Sequence, residues 1–506
     1  MKPLTLEEVV AALEGTIDRP MPVGRVTRVS SDSRSIQAGD LFIAIRGAQF
    51  DGHTFVGEAL DKGAVAAVVD GDFAPMSGGS AGLPAGAILI RVDDTVRAMG
   101  RLARWYRRSV IGGSVTVVAV TGSNGKTTTK TMIAHLLADR WKGRASIKSF
   151  NNEIGVPLTL LSTEPDEEFV VCEVGTNAPG EIAALARLVE PEVAVITGIA
   201  PVHLEGLGSL EGIASEKLSL LNELRPGGCA VINADSELLR WMMERDRQIA
   251  GVKRVTFGEW PEADLRLTGA KAVGLPANGA KGPGAGQEFV VNGRFTYRLN
   301  VPGRHNVANA LAAIAVARWF GMADDAIAAR LATFELPPMR LDSRRAGSLT
   351  LINDAYNANP ASMAAAVDVL ASTPAKGRRM LVMGDMRELG KDSQKLHLET
   401  AELVGRSTLD VVVAVGEHAG TVRDAVRRAS GGRIEVHAYA TTDLARRRLG
   451  SLLRAGDVVL VKGSRAMAME KLVAAAEEWA ARKPAKAPAR PAGKKTSRPK
   501  TRRFTA

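Results

Sequence analysis

Cysteine is almost missing from this chain of 506 residues, which has only Cys172 and Cys229. Two cysteines cannot build a disulfide framework, nor a metal cluster on their own. Aromatic residues make up only 4%, and no basic stripe carries the interleaved rings that a specific nucleic-acid surface uses. No uncharged apolar run approaches the roughly 18 residues needed to cross a bilayer. The opening stretch MKPLTLEEVVAALEG places two glutamates inside its apolar run, unlike the apolar core of a signal peptide. These absences predict a soluble, cytoplasmic protein with no transmembrane segment and no specific nucleic-acid partner.

The composition that remains is ordinary for a globular protein, with 45% hydrophobic and 24% charged residues. At about 150 residues per domain the length suggests about three domains. The net charge of +11 looks like a polyanion signal until it is located. Residues 482–506 hold ten Lys and Arg and no acid, so this tail carries nearly all of the excess. Its Pro, Ala and Lys content cannot bury enough apolar area to fold, which predicts a disordered, solubilising appendage.

Along the body, apolar runs alternate with helical patterns. LEEVVAALEG reads as an amphipathic helix, DLFIAIRG and AVAAVVD as strands, and residues 71–86 as a Gly/Pro-rich surface loop. TVRAMGRLARWYRRS reads as the helix leaving this first unit. From Val115 onward, VTVVAV, EFVVCEVG, EVAVITGI and CAVINAD are short continuous apolar runs, the pattern of strands buried on both faces of a parallel sheet. Asn292-Gly293 between two alternating runs signals a hairpin. After Pro337-Pro338 a third unit repeats the alternation with LTLINDA, RRMLVMGD, LDVVVAVG, RIEVHAYA and GDVVLVKGS. The expected architecture is α/β with domains at 1–110, 111–336 and 337–481, then the tail at 482–506.

The sharpest local signal lies at 115–138. A buried strand runs into Thr121-Gly122-Ser123-Asn124-Gly125, then Lys126-Thr127-Thr128 and a helix. Small residues let backbone N–H groups approach phosphate oxygens, and a helix N-terminus adds positive potential. Lys126 is suited to neutralise β/γ phosphates and the Thr127 hydroxyl to hold Mg²⁺. Val120 stands where the common phosphate-loop spacing has its first glycine. An ordinary Gly-rich turn is the bland alternative, but strand, loop, Lys-Thr and helix in this order favour ATP.

Ligands of open α/β sheets bind at the C-terminal ends of strands. There Glu173 ends EFVVCEVG and His203 follows AVITGI, each either a Mg²⁺ ligand or an ordinary loop residue. Lys217 in SEKLSLL reads, on its residues alone, as a solvated helix lysine. In the third unit Asn353 to Asn359 crowds polar side chains at a strand end, which favours a ligand cleft over a plain loop. GDMRELG and VKGSRAMAME also end strands and would share that face. Both cysteines lack a nearby base and read as inert.

TGSNGKTTTK, FNNEIGVPLTLL, EVGTN, HLEGLGS, GRHNVANALAA, DAYNANPASM, GDMRELG and VKGSRAMAME occur in this order. Together they resemble the Mur ligases of peptidoglycan synthesis, over about residues 1–480, and most of all the branch that adds a dipeptide. SSDSRSIQAGDLFIAIRGAQFDGHTFV resembles that family's uridine-nucleotide-binding domain. The resemblance implies a central phosphate-loop sheet, a small N-terminal α/β domain and a Rossmann-like C-terminal domain. It also implies ATP-dependent joining of D-alanyl-D-alanine to UDP-N-acetylmuramoyl-tripeptide through an acyl phosphate, by a monomer.

The resemblance assigns residues as well. Lys126 and the 121–128 loop would hold the ATP phosphates, and Thr127, Glu173 and His203 resemble Mg²⁺ positions. Lys217 falls where the family carries a carbamylated lysine near a second Mg²⁺, although SEKLS differs from the usual surroundings. Asn309 resembles an adenine contact, and Arg340 and Asp354 match residues that close over the nucleotide. Ser33 and Arg34 would meet the UDP end, Asn151 and Asn152 the sugar or peptide, and Tyr356, Asn357 and Asn359 the incoming dipeptide. The sister ligase that adds one diamino acid is the nearest rival, but its D-N-P-R segment is absent. Folylpolyglutamate synthases lack a uridine-type first domain, and a silent nucleotide-binding protein would need a broken constellation.

Overall fold

The continuous apolar runs become strands enclosed on both faces. In the computed structural model Thr116–Thr121, Phe169–Glu173, Val193–Ile196 and Cys229–Asn233 pair in parallel at the centre of a nine-stranded sheet. The structure describes residues 1–482 apart from 22, 48–49, 75–82, 247–248, 250 and 275–284. Part of the expected surface loop at 71–86 and the tail from 483 onward therefore lie outside the described residues. Among the described residues no helix is long and apolar enough to cross a membrane.

The strands fall into three main sheets. The first has five strands. Arg28–Ser30, Asp40–Ile43, Ala66–Asp70 and Leu89–Val92 run parallel, and Thr16–Ile17 pairs antiparallel at one edge. The nine-stranded sheet continues from Cys229–Asn233 through Arg254–Gly258 to Leu265–Gly274, then ends in the antiparallel strands Ala285–Val291 and Phe295–Leu299. Asn292 and Gly293 both take left-handed φ in the turn joining that last pair, as the hairpin signal requires. The third sheet has six strands. Leu349–Asp354, Val458–Lys462, Arg379–Gly384, Val411–Val415 and Glu435–Tyr439 are parallel, and Asp342–Ala346 is antiparallel at the edge.

The first unit is welded to the second. The helix Thr95–Ser109 buries Leu102 and Tyr106 in one continuous core with Val156 and Leu160 of the central unit. The same helix sends Arg107, fully buried, across to the carbonyls of Val189 and Glu190 and to the Glu192 carboxylate. Cys172 and Cys229 are buried free thiols, and burial pushes the Cys172 thiol up to about 12. That environment disfavours the thiolate and fits an inert side chain.

Candidate active site

The phosphate-type loop is shaped by steric necessity. Gly122 and Gly125 take φ of 144° and 81°. A Cβ on Gly122 would stand 1.9 Å from Thr197 Oγ1, and one on Gly125 2.2 Å from Asn309 Oδ1. Ser123 clips the loop to the neighbouring strand end, since its Oγ donates to Ala200 O at 3.0 Å and accepts from Ala200 N at 2.9 Å. Thr197 Oγ1 also donates to the Asn124 carbonyl. The helix Lys126–Leu137 then starts with its unpaired N–H groups at the cleft, a ready anion site. Lys126 Nζ donates to Gly122 O at 2.8 Å within the same loop. Burial pushes its ammonium below the usual range, and Glu173 opposes the shift.

This loop forms one wall of a cleft of about 580 Å³. Of the residues singled out from sequence, Ser123 to Thr128, Asn151, Asn152, Glu173, His203, Asn309, Arg340, Asp354, Tyr356, Asn357 and Asn359 line it. Thr121 and Gly122, where the strand enters the loop, are outside that lining. Ser33 and Arg34 belong to the first sheet's unit and are not brought to the cleft. Arg34 is exposed and holds Asp32 through two hydrogen bonds of 2.8 and 2.7 Å, which draws the Asp32 carboxyl down to about 2.

Glu173 ends its strand with a buried carboxylate. Oε1 accepts from Asn151 Nδ2 at 3.1 Å, whereas Oε2 has no hydrogen-bond partner and stands 3.3 Å from Lys130 Nζ. A buried anionic oxygen without a hydrogen bond is costly to keep, and a hard cation would satisfy it. His203 takes a left-handed φ of 53°. Its Nδ1 lies 2.6 Å from Glu388 Oε2, close but off the line of a good hydrogen bond. The imidazole, then Lys126, holds the Glu388 carboxyl below its usual range. Among the described residues no three His, Cys, Asp or Glu side chains cluster as a metal cage. Thr127 and Glu173 at the cleft suit Mg²⁺, which takes few protein ligands and completes its shell with phosphate and water oxygens.

Lys217 overturns the solvated-lysine reading of its sequence. It is fully buried at 1% exposure in the helix Leu210–Leu218 and is not part of the cleft lining. Burial first, then the Lys126 charge, pushes its amine down to about 7.

The third unit reaches into the same cleft. Arg340 Nη2 donates to Thr127 Oγ1 at 2.8 Å, and its guanidinium lies 4.3 Å from the centroid of the Tyr356 ring. Asn359 Nδ2 donates to Asn124 Oδ1 at 2.6 Å. Met339 and Leu341, on either side of Arg340, both have left-handed φ, 61° and 53°. Asp354 Oδ1 accepts from Leu341 N at 3.1 Å and so fixes this bend. Its Oδ2 pairs with Lys462 at 2.6 Å.

Lys462, Glu388 and Asn306 are among the cleft residues that escaped the sequence reading. Lys462 sat inside a noted motif, but its pairing with Asp354 spans 108 positions. Glu388 likewise lay in GDMRELG without a named role. Asn306 was legible in principle, because it precedes Asn309 by three positions and so shares its helix face. It accepts from Asn309 Nδ2 at 3.0 Å and donates to Pro302 O at 2.7 Å.

Known proteins match this chain along most of its length. Residues 25–107 match the model for the Mur ligase family, catalytic domain; 120–317 match the Mur ligase middle domain; and 339–465 match the Mur ligase glutamate ligase domain. The UDP-N-acetylmuramoyl-tripeptide–D-alanyl-D-alanine ligase of Escherichia coli is 37% identical, over 89% of this chain and 93% of its own length. The enzyme of the same name from Bacillus subtilis is 34% identical over 93% and 97%. Among solved structures, MurF from Acinetobacter baumannii superposes with a TM-score of 0.81 at 30% identity, covering 94% of this chain and 99% of that one. MurF from Thermotoga maritima in complex with ADP gives 0.72 at 27% identity, covering 90% and 97%. With all three domain models in order and these relatives matched over nearly their whole length, the chain belongs to the Mur ligase family.

Proposed function

We propose that this protein joins D-alanyl-D-alanine to UDP-N-acetylmuramoyl-tripeptide at the expense of ATP, as a cytoplasmic monomer. The observation that carries the reading is the convergence in one cleft of a phosphate loop, the buried Glu173 carboxylate and third-unit side chains that touch the loop itself. The named activity of the Bacillus subtilis and Escherichia coli relatives supports the choice of substrates. Residues 1–110 are assigned to the UDP substrate, with Ser33 and Arg34 at its uridine end. Residues 111–336 are assigned to ATP and 337–481 to the closing domain.

In this reading the loop amides and Lys126 hold the nucleotide phosphates, with Asn309 at the adenine. The γ-phosphoryl passes to the terminal carboxylate of the tripeptide, forming an acyl phosphate and releasing ADP. The dipeptide amine attacks the acyl carbon and forms the C–N bond. The tetrahedral intermediate then breaks its C–O bond to the phosphoryl group; phosphate leaves with that oxygen and the electron pair, and the amine's proton passes to phosphate or water. Thr127, Glu173 and His203 would hold Mg²⁺, which when bound neutralises charge on the transferring phosphoryl group. Arg340, Asn359 and Glu388 reach from the third unit to Thr127, Asn124 and His203, so closure there would keep water from the acyl phosphate. Asn151 and Asn152 are placed for the muramoyl-peptide, and Tyr356, Asn357 and Asn359 for the dipeptide.

Phosphate release from ATP with Mg²⁺ is expected to require both UDP-muramoyl-tripeptide and D-alanyl-D-alanine, and to yield the pentapeptide product. Release with a single diamino acid and UDP-muramoyl-dipeptide, but not with the dipeptide, would instead assign the sister reaction.

Lys217 is proposed to be carbamylated. Only a neutral amine adds to CO₂, and burial, which pushes this amine down to about 7, leaves a large share of it neutral near neutral pH. Lys217→Ala is expected to lower turnover by about a hundredfold, with partial recovery on adding short carboxylic acids that replace the lost carbamate. Unchanged turnover before any rescue would remove the residue from the reaction.

A further inference from the structure

Lys130 lies one turn beyond Lys126 in the helix Lys126–Leu137, and it is only 2% exposed. A buried ammonium needs acceptors for its three donors. It donates to Ser146 O at 2.8 Å and to Lys148 O, and its third neighbour is Glu173 Oε2 at 3.3 Å. The two carbonyls belong to residues 146–152, the segment after the strand Gly143–Ala145.

That segment is not held by apolar burial. Its hydrophobic residues Ile147 and Phe150 are 66% and 41% exposed. Lys148 takes a left-handed φ of 48°, a strain that persists only where the surroundings fix it. Polar contacts do the holding, and they tie the segment to the reacting centre. Ser149 Oγ lies 3.1 Å from Thr127 Oγ1, Asn151 Nδ2 donates to Glu173 Oε1 at 3.1 Å, and Ser146 Oγ accepts from Glu173 N at 3.2 Å.

We propose that Lys130 is a positioning residue that pins residues 146–152 beneath the bound muramoyl-peptide and supplies the charge facing the Glu173 carboxylate. One buried cation thus joins the phosphate-loop helix, the carboxylate and the substrate segment. Its link to catalysis rests on the proposed function, whereas its hold on the segment does not.

The test is Lys130→Met in the full chain, which keeps the side-chain length and removes the charge and donors. Amide exchange at 146–152 without any substrate is expected to quicken by about tenfold or more, with the amides of 127–137 unchanged. The KM for UDP-muramoyl-tripeptide is expected to rise about tenfold or more, while ADP affinity without Mg²⁺ stays within about twofold. If the variant does not fold, Lys130→Gln removes the charge, leaves two of the three N–H donors on a shorter side chain, and is expected to show the same exchange pattern. Unchanged exchange at 146–152 would overturn the proposal, as would quickening spread equally over the helix, since a merely structural lysine would loosen both. Should the parent enzyme release no phosphate with any UDP-muramoyl-peptide, the proposed function fails and the exchange arm alone decides Lys130.

Discussion

Lys126→Ala lowers the rate of ATP-dependent ligation by about a thousandfold and leaves the thermal midpoint close to that of the parent. The expectation follows from where the ammonium sits. It is tethered to Gly122 O inside a loop whose backbone is fixed by Thr197 and Ser123, so it is preorganised for charge that develops on the transferring phosphoryl group. Removing one preorganised group of this kind costs about 3–4 kcal/mol of barrier, and larger losses are known where the group is the main cation on the γ-phosphate. The fold does not need the charge, because burial penalises it. Single-turnover phosphate release would measure the effect. A loss smaller than about tenfold would mean that the loop does not carry the transferred phosphate.

Glu192→Ala destabilises the central unit by about 3–5 kcal/mol, the usual cost of leaving a buried charge without its partner. Arg107 is fully buried, and its Nη2 donates to Glu192 Oε1 at 2.6 Å. The other carboxylate oxygen accepts from Val117 N at 2.7 Å, at the start of the strand leading to the phosphate loop. The substitution therefore strands a guanidinium and a strand N–H together. Arg107 Nη1 already lacks a partner, so little slack remains to absorb the loss. At about 2–4 °C per kcal/mol for a unit of this size, the first calorimetric transition should fall by about 6–20 °C. Glu192→Gln keeps one acceptor and should fall less. A shift below about 1 kcal/mol would show that the Val189 and Glu190 carbonyls suffice to hold the guanidinium.

The local grammar of the chain was enough for its strands and its loop. Continuous runs such as those ending at Thr121, Glu173, Val415 and Lys462 have no polar residue to expose, so burial on both faces is the only way to use them. Some of the strands that escaped notice lack that pattern. Gly143–Ala145 is three residues of GRA at a sheet edge, and Arg254–Gly258 mixes charge with apolar positions. Both are recruited by a neighbouring strand that is already in place, so the partner and not the sequence makes them strands. The loop glycines were legible as a class, yet the atoms that require them, Thr197 Oγ1 and Asn309 Oδ1, lie far along the chain.

The cleft divides in the same way. Residue types and their order determined that a nucleotide loop, a carboxylate at a strand end and a polar third-unit segment exist, because each motif is contained within a few residues and its chemistry is intrinsic. Only the tertiary structure decided which of them meet. Asn359 reaches Asn124 across 235 positions and Arg340 reaches Thr127 across 213. Burial was also a tertiary decision: SEKLSLL suggested a wet lysine, and the packed helix Leu210–Leu218 made Lys217 a dry one. A charge's meaning depends on its solvent and its partners, and those are set by contacts that the local sequence does not contain.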